Sequence, residues 1–110
     1  MLVAEDNRAD LFLIREALAP LDVELHVAGD GEEAIRYLAR VEADPEALCP
    51  DLVILDINLP KRNGNEVLKA LRSNARCGQI PVLVVTTSDL QRDREMMDGL
   101  GTQGYFRKPS

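Results

Sequence analysis

Two apolar segments of this sequence lead directly into acidic side chains. The short run 2–4 is followed by Glu5 and Asp6, and the run 52–55 is followed by Asp56. An unbroken apolar run is typical of a strand that is buried on both faces of a parallel sheet. Open α/β sheets bind their ligands beyond the carboxyl ends of the strands. The acidic residues at these ends are therefore candidates for a nucleophile or for metal ligands.

Two further residues with suitable chemistry follow predicted strands. Thr86 comes after the apolar run 80–85, and Lys108 comes after the predicted strand 103–107. Carboxylates that lie close together repel one another unless positive charge compensates them. Mg²⁺ is suited to this role because it binds carboxylates, carbonyl oxygens and waters. With Lys108 as a second positive charge, the set indicates a site that holds a metal ion and an anion together.

The elements that position these residues alternate between strand and helix along the whole chain. This alternation predicts an α/β fold, a doubly wound parallel sheet of five strands with right-handed crossovers. Strand order 2-1-3-4-5 is one of the two common arrangements, and it places strands one and three side by side, so that Glu5, Asp6 and Asp56 converge. The predicted strands are 1–4, 22–28, the run ending at Asp56, 80–85 and 103–107, and the predicted helices are 8–19, 32–41, one after Gly64, and 90–99.

Apolar residues at helical spacing define the faces of these helices. Asn7 or Asp10 is expected to cap the first helix, and the alternation over 22–28 predicts a strand at the sheet edge. The apolar pattern of the fourth helix is poor, which favours a short exposed helix or a loosely held one. The residues expected to face the core are Leu11, Ile14 and Leu18 in the first helix, Ile35 and Leu38 in the second, and Val67, Leu68 and Leu71 in the third.

Composition excludes several classes of function. The net charge of −6 argues against a nucleic-acid-binding surface, which needs a basic face. No apolar run is long enough to cross a bilayer and no signal peptide precedes the first strand, so we expect a cytoplasmic protein without membrane contact. Cys49 and Cys77 are far apart in the sequence and lack a metal-binding spacing. They are predicted to be free thiols in a reduced compartment.

As a set, these residues resemble the receiver domain of two-component response regulators over essentially the whole chain, 1–110, read as a single domain of the flavodoxin-like (CheY-like) fold. The local sequences around Glu5, Asp56 and Thr86, and the long loop after the second helix, are similar to those of single-domain regulators that partner phytochrome-type histidine kinases. The matching positions are Glu5 and Asp6, the aliphatic run into Asp56, Pro60, Gly64, Thr86, Tyr105 and Lys108-Pro109.

The resemblance implies a phosphorelay function without turnover of a substrate. Asp56 is expected to accept a phosphoryl group from a sensor histidine kinase. Asp6, Asp56 and the backbone carbonyl of Asn58 are expected to hold Mg²⁺, with Glu5 reaching it directly or through water. Lys108 is expected to neutralise charge on the transferring group. A homodimer is left open.

The resemblance also implies how the signal is transmitted. Thr86 is expected to bond a phosphoryl oxygen and Tyr105 to rotate inward in response. Asn58, Thr87 and Ser88 would tune the loss of the phosphoryl group. Plainer interpretations remain for two of these residues, because Thr87 could be a β-branched strand residue and Tyr105 an ordinary aromatic.

Two departures and two alternatives stand beside this interpretation. Family members continue beyond the Lys-Pro pair into a fifth helix, which is missing from this sequence, so we expect either a trimmed chain or a partner that covers apolar surface on strands one, three and five. Arg94 and Asp98 also stand where the family has apolar residues in the fourth helix.

The alternatives are a receiver-like binding module that is not phosphorylated and an aspartate-nucleophile phosphatase. The latter usually has a second acid at the position of Asn58.

Overall fold

A computed structural model describes residues 1–56, 59, 61–86 and 104–107, and these form a parallel sheet with helices between its strands. All four strand pairings are parallel, and the strand order is β2-β1-β3-β4-β5, as predicted. The strands are β1 (Leu2–Ala4), β2 (His26–Ala28), β3 (Val53–Asp56), β4 (Val82–Thr86) and β5 (Gly104–Arg107), and the helices are α1 (Arg8–Leu18), α2 (Gly31–Ala43) and α3 (Gly64–Arg72).

The largest difference from the predicted elements is the length of β2. The predicted strand covered 22–28, but only His26–Ala28 pairs with β1. A 3₁₀ turn at Ala19–Leu21 ends at Asp22, which has a left-handed backbone with φ of 51°. The chain therefore enters the sheet edge later than its alternating pattern indicates. The predicted fourth helix, 90–99, lies outside the described residues.

The three helices of the described residues begin with the same hydrogen bond. The side chains of Asn7, Asp30 and Asn63 accept from the backbone N–H three residues later, at 3.0, 2.7 and 3.0 Å. Each bond satisfies a donor at the helix start that has no partner within the helix. Because these helices follow β1, β2 and β3, the caps fix where the chain turns away from the carboxyl edge of the sheet.

The main core lies between the sheet and helices α2 and α3. Alternate residues of β1, β3 and β4 point to this face, as a strand's two-residue period requires. The predicted stripe of α3 is confirmed, with all three residues fully buried, and in α2 Leu38 is buried while Ile35 is partly buried. The buried side chains that form this core include Leu2, Ala4, Val53, Leu55, Val82 and Val84 from the sheet and Leu38, Val67, Leu68 and Leu71 from the helices.

The opposite face of the sheet is also covered at its centre. Val3 is fully buried and Ile54 is 7% exposed. The expectation that β1 and β3 present apolar surface to water is therefore wrong for these two residues. Helix α1 is less buried than predicted, because Leu11, Ile14 and Leu18 are only partly covered. Among the described residues no helix is both long enough and apolar enough to traverse a bilayer.

The prediction of free thiols is wrong. Cys49 and Cys77 form a disulfide with a Cα–Cα distance of 5.6 Å. Cys49 precedes β3 and Cys77 precedes β4, and these strands pair in parallel from Val53 and Val82 onward. The segments that enter two neighbouring parallel strands meet at one edge of the sheet, which brings together cysteines that are 28 residues apart.

Gly31 lies at a close approach between α2 and the loop that follows β3. A Cβ atom on Gly31 would overlap the backbone carbonyl of Arg62, far inside van der Waals contact. Gly29 is different, since a Cβ there would meet only the flexible end of Glu33 at an ordinary 3.6 Å. The start of α2 therefore fits against the loop after Asp56 only because residue 31 has no side chain.

We expect Gly31→Ala to lower the free energy of unfolding by about 1 to 3 kcal/mol, the usual cost of forcing extra atoms into a packed site. The backbone of the 61–63 loop must move to make room. Urea denaturation measures the change, and Gly29→Ala is the matched control, expected to lie within about 1 kcal/mol of the parent. Equal stability of the two variants would contradict the close approach.

Candidate functional site

The acidic site is formed where β1 and β3 end side by side. Ala4 of β1 pairs with Leu55 of β3, so the next residues, Glu5 and Asp56, leave the sheet at the same level. Both are buried, at 3% and 5% exposure, whereas Asp6 is exposed. The buried strand ends thus hold two carboxylates in place, and the third faces the solvent.

The three predicted carboxylates form a compact cluster. Oxygen atoms of Glu5, Asp6 and Asp56 all lie within 4.8 Å of one another. Like charges at this separation repel, and a divalent cation bound between the oxygens would remove the repulsion. Three hard oxygen donors, one of them open to solvent, match the preference of Mg²⁺ for a few carboxylates with retained waters. The residues present therefore fit a hard divalent cation.

Glu5 is fixed by its backbone and by its side chain. Its N–H donates to the carbonyl of Ala28 at 3.0 Å, which extends the β1–β2 pairing by one residue. Its Oε2 accepts from the backbone N–H of Asn7 at 3.2 Å. Since Asn7 also caps α1, the same residue orients Glu5 and begins the first helix. Sequence reasoning found Asn7 as a possible cap but missed its bond to the acidic cluster.

The loop after β3 is held against α2 by charge as well as by the Gly31 contact. Lys61 lies 3.4 Å from the Asp30 carboxylate and has a left-handed backbone with φ of 67°. Asp30 accepts from the backbone N–H of Glu33, and this bond, with help from Lys61, lowers the pKa of the Asp30 carboxyl below its usual value. Arg62 pairs with Glu66 at 2.9 Å. The Lys61 contact holds the described part of this loop, residues 61–63, at the start of α2.

The remaining predicted site residues are only partly described. Thr86 is the last residue of β4, and its backbone pairs with Arg107 of β5 at the same sheet edge as Asp56. Tyr105 lies within β5, opposite Val84. Nothing is described of the side chains of these two residues, and the other predicted positions, Asn58, Thr87, Ser88 and Lys108, lie outside the described residues.

The chain matches a known family over its whole length. The model of the response regulator receiver domain matches residues 1–110. The response regulator Rcp1 of Synechocystis sp. is 38% identical over 95 residues, which are 84% of this chain and 65% of Rcp1. The chain therefore spans slightly less than two thirds of that relative.

Two solved structures share both the fold and a substantial part of the sequence. The phosphorylated cyanobacterial phytochrome response regulator RcpA superposes with a TM-score of 0.87 at 38% identity, covering 99% of this chain and 79% of RcpA. The Mn²⁺-bound form of Rcp1 gives a TM-score of 0.86 at 34% identity, covering 98% of this chain and 79% of that one. With the strand order and the acidic cluster at the carboxyl edge, these matches show that the chain belongs to the response regulator receiver domain family.

Proposed function

We propose that residues 1–110 act as a single receiver domain that accepts a phosphoryl group on Asp56 in a Mg²⁺-dependent reaction. The observation that carries the proposal is the cluster of Glu5, Asp6 and Asp56, whose oxygens lie within 4.8 Å of one another at the carboxyl edge of the sheet. The likeness to a phosphorylated RcpA and to a Mn²⁺-bound Rcp1 supports both parts of it.

In the proposed reaction, a carboxylate oxygen of Asp56 attacks the phosphorus of a phosphohistidine. The new O–P bond forms as the N–P bond breaks, and the imidazole leaves and takes up a proton. Asp6, Asp56 and the carbonyl of Asn58 would hold Mg²⁺, with Glu5 direct or through water. The bound ion supplies positive charge to the oxygens of the transferring group. Lys108 adds a compact second charge.

Two strand positions are proposed to transmit the change. Thr86 stands at the end of β4, beside the strand that carries Asp56, where its hydroxyl would bond a phosphoryl oxygen. Tyr105 on the neighbouring β5 would then turn inward, which biases an existing pair of conformations. Asn58, Thr87 and Ser88 would set the rate at which water removes the phosphoryl group.

The proposed partner is a sensor histidine kinase of the phytochrome type, because RcpA is a phytochrome response regulator. The net charge of −6 gives no support to a nucleic-acid partner. We propose a cytoplasmic signalling domain, not an enzyme that turns over a substrate. A receiver-like module that is not phosphorylated is the alternative, and retention of all three carboxylates speaks against it.

The direct test is incubation with acetyl phosphate, followed by intact-protein mass spectrometry. In the presence of Mg²⁺ the protein should gain the mass of one phosphoryl group, and with excess EDTA it should gain none. Uptake that does not need a divalent ion would contradict the metal part of the proposal. No uptake under any condition, from acetyl phosphate or from a kinase, would favour the unphosphorylated module.

A further inference from the structure

The Cys49–Cys77 disulfide joins two segments at the amino ends of the strands, whereas Asp56 lies at a carboxyl end. Cys49 lies between α2 and β3, and Cys77 lies between α3 and β4. Both residues precede the amino ends of their strands, whereas Asp56 is the last residue of β3. The bond is therefore remote from the acidic cluster, and the proposed phosphoryl chemistry does not use it.

The two cysteines differ in their exposure to solvent. Cys77 is 1% exposed, while Cys49 is partly exposed. Cys49 also lines an open groove of about 530 Å³ together with Leu48, Tyr37 and His26. Leu48 is 86% exposed and the rings of His26 and Tyr37 are stacked at 4.1 Å. The groove therefore combines apolar and aromatic side chains with the acidic residues Glu24 and Asp51. Because Cys49 is the more exposed cysteine and lines this groove, we expect an external thiol to attack its sulfur and not that of Cys77.

A second set of contacts joins the same segments without any covalent bond. The guanidinium of Arg76 donates to the carbonyls of Val41, Asp44 and Ala47, the latter two at 2.5 and 2.6 Å. One side chain thus holds three carbonyls in the last turn of α2 and in the loop that leads to Cys49. Hydrogen bonds from a charged donor are the stronger kind.

Asn74 completes this clamp. Its Nδ2 donates to the carbonyl of Leu38 at 3.0 Å, while its Oδ1 accepts from the N–H groups of Arg76 and Cys77 at 3.0 and 2.8 Å. Asn74 is 9% exposed, so these bonds are shielded from water. The position of Cys77 is therefore fixed by hydrogen bonds that do not depend on the disulfide.

We propose that Cys49–Cys77 is a reversible redox-modification site that is opened by a dithiol reductant and closed again on the Arg76 and Asn74 clamp. In cytosolic proteins, disulfides are usually transient or redox-sensing. The proposal therefore rests on the cytoplasmic location given under the proposed function. It does not depend on phosphorylation of Asp56.

The thiol exchange proceeds in two balanced steps. A thiolate of the dithiol attacks the Cys49 sulfur, forming a mixed disulfide, and Cys77 leaves as a thiolate that takes up a proton. The second thiol of the reductant then attacks the reductant sulfur that is bonded to Cys49. A disulfide forms within the reductant, and Cys49 is released as a thiol. The reductant ends as a disulfide, and the protein gains two hydrogen atoms. Closure by a disulfide oxidant is the reverse.

Opening should loosen one segment and leave the fold intact. The covalent closure of a loop of this length restricts the unfolded chain, so its removal should lower Tm by roughly 10 to 20 °C. The hydrogen bonds of the clamp remain, and they keep the two thiols near each other. Loss of amide protection is therefore expected in residues 44–52, the segment that leads into β3, and not in the core strands.

The experiment compares the air-oxidised protein with the protein treated with dithiothreitol. After removal of dithiothreitol, thiol titration in denaturant should find no free thiol in the oxidised protein and two in the treated protein. Without denaturant, the treated protein should show the expected fall in Tm and faster hydrogen exchange over 44–52. N-ethylmaleimide should then label Cys49 before Cys77. The Cys49→Ser variant should show the lower Tm and no response to dithiothreitol. Two free thiols in the oxidised sample, global unfolding on reduction, or faster labelling of Cys77 would overturn the proposal.

Arg76→Ala tests the clamp. After reduction and removal of dithiothreitol, this variant should reform the disulfide at least roughly tenfold more slowly in oxidised glutathione, because it loses all three hydrogen bonds of Arg76 and one charged hydrogen bond alone accounts for about that factor. Arg36→Ala is the control, because Arg36 pairs with Glu32 on the exposed face of α2, and it should close at the parental rate. Equal rates in all three proteins would overturn the role of Arg76. None of these readouts requires phosphoryl transfer, so their failure and failure of the proposed function are separable.

Discussion

The Asp56→Asn variant should take up no phosphoryl group from acetyl phosphate or from a kinase, a complete loss of the reaction. The amide lacks the anionic oxygen that attacks phosphorus, and it is a weaker ligand for a divalent ion. The fold should survive, because the change removes one of three mutually repelling charges and keeps the shape of a side chain that is 5% exposed. Intact-protein mass spectrometry measures the uptake, and circular dichroism verifies the fold.

Asp51→Asn is the matched control for this loss. Asp51 precedes β3 at its amino end and is exposed, so its replacement removes the same charge at the opposite edge of the sheet. Uptake by this variant should equal that of the parent. Undiminished uptake by Asp56→Asn would show that another residue is the acceptor.

Asp6→Asn should weaken Mg²⁺ binding by at least about 10-fold, since loss of an outer-shell partner alone has that effect on metal sites. Asp6 is the exposed member of the cluster, so the substitution disturbs little packing. Isothermal titration calorimetry measures the affinity. This measurement does not require phosphorylation. Thermal stability with and without Mg²⁺ is a second measurement, because a ligand at 100 times its Kd stabilises a protein by about 2.7 kcal/mol.

Glu16→Gln is the control for metal binding, because Glu16 is an exposed acidic residue of α1 outside the cluster. It should bind Mg²⁺ with parental affinity. Equal affinities of Asp6→Asn and the parent would remove Asp6 from the ligand set and leave Glu5 and Asp56 as its carboxylates.

Much of the site could be predicted from the sequence because it depends on strand ends. A buried apolar run fixes where a strand lies, and the parallel order then fixes which ends are neighbours. Strand order alone predicts that Glu5 and Asp56 are neighbours, and the pairing of Ala4 with Leu55 confirms it. The same logic applied to strand starts would have paired Cys49 with Cys77. The sparse cysteines instead favoured free thiols, which was wrong.

Other features depend on contacts that no local pattern encodes. The alternation of residues 22–28 indicates a strand, yet pairing with β1 begins only at His26, because the 3₁₀ turn delays the entry of the chain. The approach of Gly31 to the Arg62 carbonyl and the three carbonyls held by Arg76 join residues that are distant in sequence. Such contacts are consequences of the assembled fold.

The most direct measurement locates the phosphoryl group on the chain. After reaction with acetyl phosphate and Mg²⁺, borohydride reduction converts an aspartyl phosphate to homoserine, and peptide mass spectrometry identifies the modified position. We predict conversion at Asp56 alone, and none when EDTA replaces Mg²⁺. Conversion at Glu5, Asp6 or any other acidic residue, or conversion that persists without a divalent ion, would contradict the assignment of Asp56 as the metal-dependent phosphoryl acceptor.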